Sequence, residues 1–152
     1  MMKTFWMFLV IMLITISANA CQWQTYNPDN SDFYGSAFMQ WAVDVGSITR
    51  NEYKVEDGRL QWNMTLEVSS VSGIPSTGLL VNIPEGLKPA KSGFVGTVTY
   101  TNGGAYGTGV IYVNAGDPRI WLMRNFNNGP NLNWRKSNVD TYIMFNLDMA
   151  VQ

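Results

Sequence analysis

Residues 60–68 read Leu-Gln-Trp-Asn-Met-Thr-Leu-Glu-Val, with apolar and polar side chains alternating without exception. A period of two belongs to the β-strand, whose successive side chains leave opposite faces; a helix cannot gather Leu60, Trp62, Met64, Leu66 and Val68 on one side. The run predicts a half-buried antiparallel strand with these five residues in the core. Asp57-Gly58, immediately upstream, supplies the positive φ angles of a tight turn, so 52–56 folds back as the other arm of a hairpin.

The rest of the chain repeats the pattern. Phe94 to Thr101 and Tyr106 to Val113 are β-branched and aromatic runs separated by Asn102-Gly103-Gly104-Ala105, a second hairpin. Strands are also predicted at 38–45, 77–82, 119–124 and 141–149, the last with Ile143, Phe145, Leu147 and Met149 on one face. No stretch of twelve residues after position 21 carries a helical period, and Gly or Pro interrupts most candidates. The expected fold class is all-β, with seven or eight antiparallel strands in a two-sheet, jelly-roll-like β-sandwich. A single open sheet would bury too little for a chain with 6 Trp, 7 Tyr and 7 Phe.

The N-terminus has a different character. Lys3 is followed by an apolar run from Phe5 to Ile16, and Ser17-Ala18-Asn19-Ala20 closes the segment. This is the pattern of a secretory signal peptide, with small residues at Ala18 and Ala20 fitting the shallow subsites of a signal peptidase. The apolar run is shorter than the roughly 20 residues that a transmembrane helix needs. Residues 1–20 are read as the leader, cut between Ala20 and Cys21, and 21–152 as one domain of a secreted, extracellular protein. Cys21 is the only cysteine, so no intramolecular disulfide can form. At the new N-terminus it is a free thiol, half of an inter-chain bridge or the acylated cysteine of a bacterial lipoprotein, and Asn19 disfavours the last.

Composition then removes several function classes. The chain has no histidine, which excludes Ser-His-Asp and Cys-His catalytic sets and the usual zinc sites. Its net charge of −1, more negative still once Lys3 is lost, makes nucleic acid a poor partner. Glu67, Glu85 and Asp44 lie in or beside predicted strands or turns, but their spacing defines no glycosidase-like pair and they are read as solvated charges. Asp29-Asn30-Ser31-Asp32 offers hard oxygen ligands for calcium without the glycine and terminal glutamate of an EF-hand loop, which favours an Asx turn. Tyr106-Gly107-Thr108-Gly109 lies between strands instead of opening a helix, so it is no phosphate cradle. No catalytic residue, metal ligand or cofactor is expected. Asn63-Met64-Thr65 is an N-glycosylation sequon on the polar face of its strand, making Asn63 the acceptor if the host is eukaryotic.

Ile83-Pro84-Glu85-Gly86-Leu87-Lys88-Pro89 resembles the apolar-Pro-x-Gly-aromatic-basic-Pro turn of the β-sandwich head domains of bacteriophage tail-fibre and minor tail proteins, with Leu87 at the family's aromatic position. The segment Tyr53 to Leu60 before it and the glycine-punctuated strand Tyr106 to Val113 after it extend the similarity over roughly residues 50 to 125. The resemblance implies a receptor-binding scaffold, often trimeric and often glycan-directed. Independently of any family, Pro84 and Pro89 break strand pairing, Gly86 permits a reversal, and Ile83 and Leu87 can drop back onto the core.

One stretch is compositionally unusual. Residues 125–134 are half asparagine and carry Phe126 and Trp134. Amide side chains both donate and accept, which suits sugar hydroxyls, and an indole face stacks on a sugar's apolar C–H patch. Asn127, Asn128, Asn131, Asn133 and Trp134 are therefore the candidate ligand-binding residues. The competing reading takes the asparagines as turn formers and Trp134 as a cap on the open end of the core. The expected function is a non-enzymatic recognition module for glycans or a cell-surface receptor, acting through loops at one end of the sandwich. The alternative is a structural matrix or shell component that acts by assembly.

Overall fold

The computed structural model describes residues 22–84, 86–124 and 133–152. Residues 1–20, expected to be a leader ending at Ala20, lie outside the described residues, as do Cys21, Glu85 and the candidate ligand-binding residues Asn127, Asn128 and Asn131.

Ten strands are present among the described residues: β1 (Gln24–Thr25), β2 (Phe33–Gly35), β3 (Met39–Val43), β4 (Ile48–Glu56), β5 (Arg59–Gly73), β6 (Gly78–Asn82), β7 (Gly93–Asn102), β8 (Ala105–Val113), β9 (Arg119–Arg124) and β10 (Ser137–Ala150). Short 3₁₀ turns cover Asn30–Asp32 and Val45–Ser47. The fold is all-β and antiparallel, as the alternation requires. It differs from the expectation in strand number and in hydrogen bonding, because every strand belongs to one sheet with the order β1-β4-β5-β10-β7-β8-β9-β6-β2, and β3 pairs with β5. The extra strands are β1 and β2, two and three residues long, too short to display a period.

One long strand explains how a single sheet can enclose a core. The N-terminal part of β5 pairs with β4 and its C-terminal part with β3. Where these parts meet, β5 has two residues, Glu67 and Val68, between the paired Leu66 and Ser69, where β10 has one, Tyr142, between Thr141 and Ile143. This bulge bends the strand and shifts its phase. Leu60, Trp62, Met64 and Leu66 are buried as predicted, but Val68 is only half-buried, and Ser69 and Val71 take over the core face. The bend carries β3 to β2, the far edge of the sheet, where Trp41 and Phe33 meet edge-to-face at 5.2 Å. The sheet is thereby curled into a half-barrel.

The concave side holds the core. Trp62 packs edge-to-face on Phe145 at 5.0 Å and on Tyr26 at 5.7 Å, and its indole N–H donates to Asn51 Oδ1 at 2.7 Å. Ile143, Phe145, Leu147 and Met149 of β10 all face inward, as predicted. The turn after β6 also behaves as its residues dictate: Ile83 is buried, Leu87 packs on the core, and the Leu87 N–H closes onto the Pro84 carbonyl at 3.2 Å.

Candidate functional site

Trp134 is fully buried. Its backbone N–H donates to the Ser76 carbonyl at 2.9 Å, its indole N–H donates to the Leu122 carbonyl at 3.0 Å, and its ring lies 5.0 Å from that of Tyr100. An indole with no exposed face cannot stack on a sugar, so the proposed stacking role of Trp134 is replaced by the core-cap reading. Asn133 is exposed, and its carbonyl accepts from Arg124 Nη1 at 2.7 Å. That bond helps to hold the segment and leaves the Asn133 side chain without an assigned ligand contact.

A residue read only as a turn former does much of this holding. Asn102 is completely buried; its amide donates to the Arg135 carbonyl at 3.0 Å and to Thr141 Oγ1 at 2.9 Å, and its Oδ1 accepts from the Arg135 N–H at 2.6 Å. Side-chain satisfaction of this kind fixes a non-repetitive segment against the sheet. Nothing in the local sequence separates such an asparagine from one that merely supports a hairpin.

Asp29 and Asp32 also serve the backbone. Asp29 caps the 3₁₀ turn by accepting from the Ser31 N–H at 2.6 Å and from the Ser31 hydroxyl, while Asp32 Oδ2 accepts from the Asp29 N–H at 2.9 Å. The Ser31 bonds hold the Asp29 carboxyl below the usual carboxylate range. Asp32 Oδ1 accepts from Asn82 Nδ2 at 2.9 Å. Burial, with the Asp32 charge second, pushes the Tyr26 phenol well above its ordinary value. Asp44 caps the second 3₁₀ turn, and Glu67 is exposed. Among the described residues no three His, Cys, Asp or Glu side chains form a set able to hold a metal, and no helix is long and apolar enough to cross a membrane.

The chemistry sought in the loop is present on the convex face. A shallow groove of about 440 Å³ crosses β5, β10 and β7 and is lined by Trp23, Gln61, Asn63, Thr97, Asn146 and Asp148, with Val95 and Leu147 as apolar contacts. Strand register builds its floor. Asn63 pairs with Asn146 and Asn146 with Thr97, while Gln61 pairs with Asp148, giving two rows of polar side chains at the strand spacing of about 4.8 Å. Gly96 permits the close approach of β7 and β10, since a Cβ there would stand 2.4 Å from the Asn146 carbonyl oxygen. Trp23 forms the wall. It is 43% exposed, precedes the β1–β4 pairing, and has Lys54 Nζ 5.7 Å from its ring centroid. Asp148 Oδ1 accepts from Arg59 Nε at 2.8 Å. The sequon residue Asn63 thus sits half-buried within this floor.

Sequence reasoning missed this groove. Gln61, Asn63, Asn146 and Asp148 were recognisable only as the outward halves of alternating strands, and the pairing of β5 with β10, which brings them together, joins segments some eighty residues apart. Trp23 lies outside every periodic run. Comparison with known proteins finds no matching family model, no matching curated protein and no matching solved structure.

Proposed function

We propose that this chain is an exported, non-enzymatic recognition module that binds a glycan on the convex face of its sheet. The carrying observation is the exposed face of Trp23 beside a floor of amide and hydroxyl groups from Gln61, Asn63, Asn146 and Thr97. A pyranose has an apolar C–H face and a rim of hydroxyls; an indole covers the first and amides satisfy the second. Strand-borne groups keep their positions before binding, which lowers the ordering cost. The turn resemblance to tail-fibre head domains supports recognition over catalysis and brings with it a two-layer, jelly-roll-like packing and trimeric assembly. Export through residues 1–20 requires a protein that begins at Cys21, which N-terminal sequencing of the secreted material checks. A glycan-array screen of that material should yield a ligand whose affinity falls about tenfold in Trp23→Ala with the melting temperature unchanged. Equal binding by wild type and Trp23→Ala would reject the groove.

The assembly reading is favoured by a different observation. On the convex side, Phe94, Tyr112, Trp121, Leu80 and Tyr34 stand opposite one another in register across β7, β8, β9, β6 and β2. Phe94 is 55% and Tyr34 39% exposed. Leu80 in the middle of the row is buried and Tyr112 and Trp121 are half-buried, so the exposed apolar ends at Phe94 and Tyr34 are the surface through which copies would associate. Sedimentation that shows a wild-type oligomer dissociated by Phe94→Ser with Tyr34→Ser would support assembly; a wild-type monomer at high concentration would reject it.

A further inference from the structure

The groove beside Trp23 does not end at Asp148. The β7–β10 pairing stops at Gly96 and Leu147, and Val95 is the extra residue of a bulge against β8. Where the two strands part, a second hollow of about 240 Å³ opens, lined by Arg59, Lys91, Ser92, Phe94, Val95 and Asp148 among others. It shares Val95 and Asp148 with the first. We infer that the two hollows form one trough and that its ligand is an acidic glycan, with an uncharged sugar on Trp23 and the carboxylate of an adjoining sugar at Arg59 and Lys91. This rests on the glycan reading above and names the class of glycan.

The charge distribution separates the two halves. In the Trp23 half the only charged lining residue is Asp148, whose carboxylate is bound to Arg59 and so presents little bare negative charge. Lys54, behind Trp23, is paired with Glu56. In the second half Arg59 retains guanidinium N–H groups beyond the Nε bonded to Asp148, and Lys91 is exposed and makes no ion pair among the described residues. The second half therefore carries two cations against one carboxylate, on a chain whose net charge is −1. An anion is attracted to this end of the trough in preference to the Trp23 half.

The test uses the secreted protein and two probes: a glucose hexamer, and an oligomer of alternating glucose and glucuronic acid of the same length. Titration calorimetry at low ionic strength should show the acidic oligomer binding about threefold to fivefold more tightly, as expected for one exposed ion contact, with the advantage lost in about 0.5 M salt. Lys91→Gln should reduce the acidic oligomer to the affinity of the neutral one and leave the latter unchanged, and Trp23→Ala should weaken both. Equal affinity for both probes, lost together in Trp23→Ala and indifferent to Lys91→Gln, would overturn the acidic assignment while the glycan reading stood. Acidic binding that survives Trp23→Ala would also overturn it, because the trough would not be in use. Failure of both probes to bind would remove the inference along with the reading beneath it.

Discussion

At the scale of single residues, burial separates neighbours in β5 that composition alone would not. Leu66 is fully buried, whereas Thr65 lies on the half-buried outer face. Leu66→Ala leaves a cavity that the curled sheet can fill only in part and should cost about 2–5 kcal/mol; Thr65→Ala should cost well under 1 kcal/mol. Chemical denaturation of both variants checks this, and equal losses would contradict the register. Tyr26 offers a pH test. Its folded-state pKa is raised, first by burial and then by Asp32, so the fold favours the neutral phenol. The resulting stability is fully present below the unfolded tyrosine pKa of about 10 and is lost as pH rises through the higher folded value. Tyr26→Phe should therefore show a shallower decline in stability than wild type above about pH 10, measured by urea titration across the alkaline range.

At the scale of elements, the strands that carry the candidate site were legible where a period ran long enough. The β4–β5 hairpin, the β7–β8 hairpin and the inward face of β10 all follow from alternation and turn residues, because local sterics decide them. The bulge in β5 was not legible: Glu67 and Val68 continue the alternation perfectly, and only the unequal spacing demanded by β10 turns Val68 off the core face. The contact between β7 and β10 depends on Gly96, whose missing side chain admits the Asn146 carbonyl. Gly96→Ala should cost about 1–3 kcal/mol by forcing those strands apart, and it should disturb the trough floor, while the neighbouring Thr97→Ala spares stability and touches only the floor. Comparing the two variants in melting and in glycan binding separates strand spacing from side-chain contact.

At the scale of the molecule, one sheet wraps one core, and Trp134 ties together separate parts of the chain: the β5–β6 connection through Ser76, β9 through Leu122 and β7 through Tyr100. Because the described strands all join one hydrogen-bonded sheet, far-ultraviolet circular dichroism and tryptophan fluorescence should report a single coincident transition, since Trp41, Trp62 and Trp134 are buried in different parts of the core. Trp134→Ala should lower stability by about 3–5 kcal/mol with both probes still coincident, and any loss of binding should track unfolding. Two resolved transitions would show that the walls of the half-barrel are independent units.

The sequence by itself determined the strand class, the two hairpins, the inward residues of β5 as far as Leu66 and those of β10, and the core-directed turn at Ile83 to Pro89. Each depends on a backbone preference or on a period confined to neighbouring residues. Only the tertiary structure decided that the ten described strands join one hydrogen-bonded sheet, that Trp134 is core and Trp23 is surface, and that Asn63, Asn146 and Thr97 form a row. The reason is that alternation states which side of its own strand a residue occupies. It does not state which strand lies alongside, and a binding face on a sheet is made by neighbours across strands that are distant in the chain.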